Sequence, residues 1–235
     1  MHIFYLPEAA EGAVMLSEEE SKHAVRVLRL VAGEQVQVTD GKGNFYVAVL
    51  GDAHPKRTVL MLGKSMPGND RWPFYLHLAL APTKNLDRME WFVEKATEIG
   101  VDEISFFHSA HSERRSINLE RISKICVSAM KQSLKSRLPK LNEIVEYERF
   151  VSKLFAGQRF IAWIDDGVRT EIQQLYRPGS DCLILIGPEG DFNRTEVETA
   201  RSQGFEAVSL GQARLRTETA ALASVQTIQL LNRLK

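Results

Sequence analysis

The chain has 235 residues, and its 30 Lys and Arg residues balance 30 Asp and Glu residues, so the formal net charge is zero. This excludes a histone-like binder, whose affinity depends on a large overall positive charge, but it leaves room for a local basic surface. Hydrophobic residues make up 44% and charged residues 26%, values typical of a globular protein with one or two domains.

The cysteines and the apolar runs further limit the class of protein this chain can be. The most hydrophobic stretch, residues 182–186, is far shorter than the roughly 20 residues that a membrane span needs. Residues 1–11 lack the basic and apolar regions of a signal peptide. Cys126 and Cys182 have no CxxC spacing, so we expect two free thiols in a reducing cytoplasm. His108 and His111 are too few for a metal site, and we expect none.

Residues 1–70 are predicted to form a small β domain. Ser17 and Glu20 fit a capping box that begins a helix over residues 17–30. A turn is predicted at residues 40–44, where two glycines can take positive φ. Around it, β-prone runs predict three strands, over residues 35–39, 45–50 and 58–62.

Residues 65–73 combine two prolines with a glycine and predict a linker to a second domain, residues 71–235. Here strands and helices alternate, and this alternation predicts an α/β fold with a mainly parallel sheet. Gly100 is expected to end the first helix. The predicted strands are 75–80, 103–107, 160–164, 182–186 and 207–210, and the predicted helices are 87–99, 119–134, 194–203 and 217–234.

Two loops are candidates for a ligand site. The first follows the apolar residues 182–186 and has the sequence Gly187-Pro188-Glu189-Gly190-Asp191-Phe192. Ligands of open α/β sheets bind just beyond the carboxyl ends of strands, and glycines let a ligand approach the backbone. A turn whose glycines only satisfy geometry is an equally good interpretation of this loop alone. The loop lacks the Gly-Lys-Ser/Thr ending of a phosphate loop and is not GxGxxG.

The second loop runs from Leu210 to Ala220 and contains Arg214 and Arg216. Thr217 is a natural helix N-cap, and Glu218 in the first turn suits the helix dipole. The two arginines lie where a sheet opens to an anionic ligand, which favours a functional role over surface salt bridges.

Together, Gly-Pro-Glu-Gly-Asp-Phe and Leu-Gly-x-x-x-Leu-Arg-Thr-Glu-Thr-Ala resemble the ribosomal RNA small subunit methyltransferase E family, of the SPOUT class. The resemblance extends over nearly the whole chain, including residues 23–30, 40–43, 95–101 and 132–133. It implies a PUA-like RNA-binding β-barrel over residues 1–70 and a SPOUT methyltransferase domain, an α/β fold with a deep trefoil knot, over residues 71–235.

The resemblance also implies an activity, a cofactor and partners. The activity is transfer of a methyl group from S-adenosylmethionine to N3 of a uridine, U1498, in 16S ribosomal RNA of the small ribosomal subunit. The family works as a cytoplasmic homodimer with its active site at the subunit interface, and no membrane is involved.

Matched to this sequence, the family pattern implies both catalytic and cofactor-binding residues. Uridine N3 carries a proton, so either Glu218 removes it as a base or Arg216 stabilises the developing negative charge. The sequence does not choose between them, and helix capping is the favoured role of Glu218. This chain has Asp191 where the family often has Gly, and it has Arg214 one place after a position where the family often has Arg. Which arginine faces the substrate is therefore open, and Arg216 is favoured.

The expected cofactor-binding residues are Ile186, Gly187, Pro188, Glu189, Gly190, Leu210, Gly211, Leu215 and Thr217.

Residues 113–140 carry eight basic residues against two acidic ones, a net charge of +6. In a neutral chain this segregation favours a phosphate-binding surface over an ordinary solvated helix face. The target base must also be unpaired or flipped, because N3 lies on its Watson–Crick edge. The expected RNA-binding residues are His23, Arg26, Arg29, Arg114, Arg115, Lys135 and Arg137.

Two other functions compete with the methyltransferase. A non-catalytic RNA-binding protein that keeps the SPOUT fold is disfavoured by the two intact loop segments. A nucleotide-binding α/β enzyme of another class is disfavoured by the missing phosphate-loop lysine and GxGxxG.

Overall fold

A computed structural model describes residues 2–164, 167 and 170–234. The chain forms two compact units, Met1–Arg71 with Met130–Leu138, and Trp72–Ala129 with Pro139–Lys235. Residues 130–138 belong to the first unit because the Asp70 carboxylate accepts hydrogen bonds from the backbone N–H groups of Ser136 (2.7 Å) and Arg137 (3.1 Å). The predicted roles of the two domains remain predictions.

The first unit contains a five-stranded sheet in the order β1-β3-β4-β5-β2. β1 pairs parallel to β3, and the other pairs are antiparallel. Gly41 (φ 70°) and Gly43 (φ 111°) turn the chain between β3 and β4 as predicted. β5 continues into the segment predicted as a linker. The strands are β1 (Ile3–Tyr5), β2 (Gly12–Met15), β3 (Gln35–Thr39), β4 (Asn44–Asp52) and β5 (Val59–Pro67).

A helix begins after Ser17 as predicted, but it ends at Val27 rather than Leu30 and is not a single α-helix. The structure has a short helix α1 (Glu18–Lys22), capped by the Ser17 hydroxyl, followed by a π-helix (His23–Val27). Arg29 then adopts a left-handed conformation (φ 56°), and the amide of Leu30 bonds back to the carbonyl of Ala24. This wrap ends the helix early and buries Ala24 and Leu30 in the core of the unit.

The second unit is built around a parallel sheet in the order β12-β10-β11-β6-β7-β8, with β9 also paired to β7. The strands are β6 (Leu76–Leu80), β7 (Glu103–His108), β8 (Lys140–Leu141), β9 (Val145–Glu146), β10 (Gln158–Ala162), β11 (Cys182–Ile186) and β12 (Glu206–Val208). The helices are α2 (Leu86–Ile99), α3 (Leu119–Gln132), α4 (Tyr147–Val151), α5 (Ile172–Leu175), α6 (Arg194–Ser202) and α7 (Thr217–Arg233).

The predicted α/β class with a small N-terminal sheet domain is confirmed. Every residue of β6 and β11 is buried, as expected for strands covered on both faces. Asn193 and Glu196 form the predicted capping box at α6, and Gly100 ends α2. The knot and the closure of a barrel remain predictions. None of the described helices is long and apolar enough to cross a membrane.

Strand order decides where a ligand can bind. β11 lies between β10 and β6, so their carboxyl ends, at Ala162, Ile186 and Leu80, meet at one edge of the sheet. The sheet edge beyond such ends is the usual ligand site of α/β proteins.

Candidate cofactor and active site

A cavity of about 780 Å³ opens at the carboxyl ends of β10, β11 and β12. Both loops singled out from the sequence line it. Of the nine residues expected to bind a cofactor, all but Gly190 lie in its wall. Gly190 instead packs against the side chain of His111, whose Cβ is 3.0 Å from the position a Cβ on Gly190 would take. These assignments remain predictions of binding.

The loop after β11 is held by Asp191, which has a left-handed backbone (φ 59°). Its Oδ2 accepts the N–H of Ile164 (3.0 Å) and its Oδ1 accepts the N–H of Phe192 (2.8 Å). Burial raises the pKa of Asp191, although these two bonds and Arg214 act in the opposite direction. Glycine, asparagine and aspartate tolerate positive φ best, so an aspartate suits this backbone conformation.

Two further contacts hold the same loop against its neighbours. The carboxylate of Glu189 accepts the N–H of Lys84 (3.1 Å), and the carbonyl of Asp191 lies 2.9 Å from Nδ1 of His111. Glu189 therefore has a structural contact as well as a place in the cavity wall.

Thr217 connects the two cofactor loops. Its hydroxyl donates to the carbonyl oxygen of Gly187 (3.0 Å), and the residue is buried. The prediction that Thr217 is the N-cap of α7 is wrong: the cap is Arg216, which has extended backbone angles and no side-chain capping bond. Thr217 is the first helical residue, which frees its hydroxyl for the other loop.

The arginines of the second loop face solvent at the cavity. Arg214 and Arg216 are exposed, and Leu215 between them is half-buried. All three line the cavity. Glu218 is buried and is not among the described residues of the cavity wall, which the sequence did not anticipate.

Arg88, which the sequence analysis did not single out, also lines the cavity. It lies in the first turn of α2, with 36% of its side chain exposed, and its Nε is 3.7 Å from Oε1 of Glu218. In the sequence it is one charge on an amphipathic helix. Only the pairing of β6 with β11 places the start of α2 beside the other loops.

The chemistry of the cavity wall fits a sulfonium nucleoside with a zwitterionic amino-acid portion. Apolar side chains suit an adenosyl group, carboxylates suit a sulfonium and an ammonium group, and arginines suit a carboxylate. The apolar residues include Ala162, Ile186, Leu210, Ala213 and Leu215, the acidic ones are Glu171, Glu189 and Asp191, and the basic ones are Arg88, Arg214 and Arg216. Among the described residues, no group of three or more His, Cys, Asp or Glu side chains is arranged to hold a metal ion.

The residues expected to bind RNA are divided between the two units. His23, Arg26 and Arg29 lie in the first unit with Lys135 and Arg137, whereas Arg114 and Arg115 lie in the second.

Their surroundings differ. Arg115 is exposed, but Arg114 donates to the carbonyl of Lys84 (2.7 Å) and so holds a loop. Arg137 is half-buried beside Gly43, where a Cβ would overlap its guanidinium, and its Nε has no hydrogen-bond partner among the described residues.

The basic stretch 113–140 is less positive in the structure than in the sequence. Carboxylates from elsewhere in the chain neutralise Arg121 (Glu90), Lys131 (Glu20) and Lys140 (Glu103), and Glu120 pairs with Lys124. The net charge of +6 therefore overstates the unpaired charge of this segment.

The sequence pattern of the RNA methyltransferase domain matches residues 70–229, and that of the RNA methyltransferase PUA domain matches residues 16–60. The first match spans more than half of the chain and contains the parallel sheet and the cavity. The chain therefore belongs to the RNA methyltransferases.

Solved structures and curated relatives show which RNA methyltransferases this chain is similar to along its length. A probable rRNA-methyltransferase from Porphyromonas gingivalis is 42% identical, with a TM-score of 0.93 over 100% of this chain and 99% of that one. Ribosomal RNA small subunit methyltransferase E from Neisseria gonorrhoeae, bound to S-adenosyl methionine, is 29% identical, with a TM-score of 0.90 over 98% of each chain. The enzyme of the same name from Mesomycoplasma hyopneumoniae (strain 232) is 29% identical over 94% of this chain and 96% of its own length. Over nearly its whole length, the chain therefore resembles ribosomal RNA small subunit methyltransferase E.

Proposed function

We propose that this protein transfers a methyl group from S-adenosylmethionine to N3 of a uridine in 16S ribosomal RNA, the nucleotide corresponding to U1498. The observation that carries the proposal is the cavity at the sheet edge, which combines apolar walls with both carboxylates and arginines. The relative from Neisseria gonorrhoeae, solved with S-adenosyl methionine, supports the choice of cofactor.

The residues that would hold the cofactor are those of the two loops joined by Thr217. When bound, the cofactor supplies an electrophilic methyl group on a positively charged sulfur. The apolar side chains of Ile186, Leu210 and Leu215 exclude water from the reacting atoms, and the fixed loops align donor and acceptor for in-line displacement.

Arg216 is the proposed catalytic residue. Uridine N3 becomes nucleophilic only when its proton passes to solvent water, and negative charge then spreads onto the uracil carbonyl oxygens. The exposed guanidinium of Arg216 in the cavity wall supplies hydrogen bonds and positive charge for those oxygens. Glu218, the alternative candidate for the base, is buried and does not line the cavity.

We further propose that RNA phosphates bind to basic residues of both units and that the substrate lies within the assembled or assembling small ribosomal subunit. A homodimer fits the family resemblance. A reducing compartment such as the cytoplasm fits the two buried cysteines, neither of which forms a disulfide. The residues proposed to contact RNA are His23, Arg26, Arg29, Arg114, Arg115, Lys135 and Arg137.

Mass spectrometry of ribosomal RNA from a strain lacking the protein tests the reaction. We expect N3-methyluridine to disappear from 16S RNA, to return with the wild-type gene, and to stay absent with Arg216→Ala. Arg201→Ala, on α6 and outside the cavity wall, is the matched control and should restore the modification. Persistence of every N3-methyluridine in the deletion strain would show that the substrate assignment is wrong.

Calorimetry with S-adenosylmethionine separates the enzyme from a non-catalytic RNA-binding protein. The wild type and Arg216→Ala should both bind the cofactor, within about fivefold of each other, because Arg216 acts on the RNA base. Absence of binding at millimolar concentration would favour the pure RNA binder.

The RNA surface has its own test. Arg115→Ala and Arg137→Ala should weaken RNA binding and each lower the slope of log affinity against log salt by about one, because each removes a phosphate contact. Arg121→Ala is the control, since its guanidinium is already paired with Glu90. Equal slopes for all three variants would exclude Arg115 and Arg137 from the interface.

A further inference from the structure

Glu218 is a buried carboxylate at the start of α7. Only 9% of its side chain is exposed, and its Oε2 has no hydrogen-bond partner among the described residues. Its neighbours Arg216, Thr217 and Ala220 line the cavity, but Glu218 does not. A group so placed is poorly positioned to take a proton from a substrate in the cavity, because a base must come within hydrogen-bond reach of that proton.

Arg88 forms an ion pair with this carboxylate. The contact is made by its Nε, 3.7 Å from Oε1 of Glu218. Burying a carboxylate is costly unless positive charge compensates it, and here the amino end of α7 and the guanidinium of Arg88 both do so. Glu218 in return fixes the direction of the Arg88 side chain in the cavity wall.

The guanidinium of Arg88 keeps donors for a ligand. An arginine has five N–H groups, and the 3.7 Å ion pair with Glu218 is made on the Nε side of the guanidinium. The side chain is 36% exposed and lines the cavity beside the loops that Thr217 joins. A half-buried, preset guanidinium suits the bidentate binding of a carboxylate.

The position of Arg88 distinguishes it from the other two arginines of the cavity. Arg214 and Arg216 are exposed, as expected for residues that meet RNA, whereas Arg88 is half-buried on the helix that follows β6. The methyl donor carries one carboxylate, at the end of its amino-acid portion, and that group enters the cavity with the cofactor.

We propose that Arg88 binds the carboxylate of the amino-acid portion of S-adenosylmethionine and that Glu218 is the positioning residue that holds Arg88, not the base. The inference rests on the proposed use of this cofactor. It assigns to the pair Arg88–Glu218 the selection of a complete cofactor over a nucleoside without the amino-acid portion.

Calorimetry with two ligands tests the inference without requiring turnover. S-adenosylhomocysteine keeps the amino-acid portion, and 5′-methylthioadenosine lacks it. Arg88→Met should weaken the binding of S-adenosylhomocysteine about tenfold and change that of 5′-methylthioadenosine less than twofold. Glu218→Gln, which keeps the shape of the side chain, should cause a selective loss of the same kind, and the double variant should lose little more than either single variant.

Two controls isolate the effect. Lys95→Met, also on α2 but paired with Glu94 and Glu98 outside the cavity wall, should bind both ligands like the wild type. Arg88→Lys retains the charge without the planar fork and should fall between wild type and Arg88→Met. Thermal unfolding of each variant establishes that it is folded.

The outcomes are distinguishable. Equal weakening of both ligands, or none, in the Arg88 and Glu218 variants would overturn the inference while leaving the methyltransferase intact. Glu218→Gln that binds S-adenosylhomocysteine normally but transfers no methyl group would restore Glu218 as the base. A wild-type protein that binds neither ligand would refute the proposed function itself.

Discussion

The hydroxyl of Thr217 joins the two predicted cofactor loops directly. It donates to the carbonyl oxygen of Gly187 at 3.0 Å, in a buried position. The sequence analysis singled out both loops, which line the cavity, but it assigned the hydroxyl to helix capping. The structure gives the cap to Arg216, so the hydroxyl connects β11 to α7 instead.

Replacing Thr217 by Val should reduce the free energy of unfolding by about 1–2 kcal/mol, because the buried carbonyl of Gly187 loses its donor while the side-chain volume is kept. Urea unfolding followed by circular dichroism measures the change. Thr217→Ser retains the hydroxyl and should recover most of the loss. A valine variant as stable as the wild type would mean that the bond contributes nothing to stability.

At the scale of elements, the end of α2 decides how the helix that carries Arg88 is anchored. Gly100 has φ 124°, its amide bonds to the carbonyl of Ala96, and its own carbonyl accepts the side-chain amide of Gln229 on α7 (2.8 Å). α2 is therefore tied to α7 at one end by Gln229, while Arg88 and Glu218 meet near the other.

Gly100→Ala should lower the free energy of unfolding by more than about 2 kcal/mol, because an alanine is strained at this φ and its Cβ would overlap the indole of Trp72. Gly12→Ala isolates the backbone contribution, since Gly12 also has positive φ (114°) but nothing lies within 4 Å of the position that its Cβ would take. Similar losses in the two variants, measured by urea unfolding, would argue against the clash.

At the scale of the whole molecule, acid stability depends on a buried polar cluster at the amino ends of β6 and β7. Nε2 of His77 lies 2.8 Å from the Ser105 hydroxyl and 3.9 Å from the Glu103 carboxylate. Burial lowers the pKa of His77 to about 4, and the opposing effect of Glu103 is smaller. The pKa of Glu103 is lowered to about 2: burial acts to raise it, but His77 and hydrogen bonds from Tyr75, Lys140 and Asn142 together outweigh that effect.

The unfolded chain therefore takes up a proton at His77 before the folded one does. Stability from this group is complete above pH 6.5 and is lost as the pH falls from 6.5 towards 4. Between pH 7 and pH 5 we expect a loss of about 2 kcal/mol in the free energy of unfolding, which His77→Asn should largely abolish. The contribution of Glu103 to stability is lost only as the pH falls from its ordinary pKa of 4.5 towards 2. The effects of His77 and Glu103 on stability therefore occur in different pH ranges. If the free energy of unfolding depended on pH identically in the wild type and His77→Asn, His77 would not be the source of the acid sensitivity.

The elements that could be predicted are those whose signal is local. Period-two alternation predicts β3, and the capping box of Asn193 and Glu196 marks the start of α6. The helix predicted between residues 17 and 30 forms but ends early, because Arg29 takes a left-handed conformation without being a glycine and the N–H of Leu30 bonds back to the carbonyl of Ala24. Short segments such as β8, β9 and α5 owe their conformation to their neighbours and have too few residues for a periodic pattern.

By itself, the sequence determined the alternating α/β class, the two glycine-containing loops after strands and the family resemblance that these loops carry, because each depends on residues adjacent in the chain. Net charge is also a sequence property, but which charges are paired is not: Arg121, Lys131 and Lys140 meet carboxylates far away in the chain. Only the tertiary structure brought Arg88 into the cavity wall and buried Glu218 against it. The physical reason is that the strand order β10-β11-β6 places loops from distant parts of the chain at one edge of the sheet.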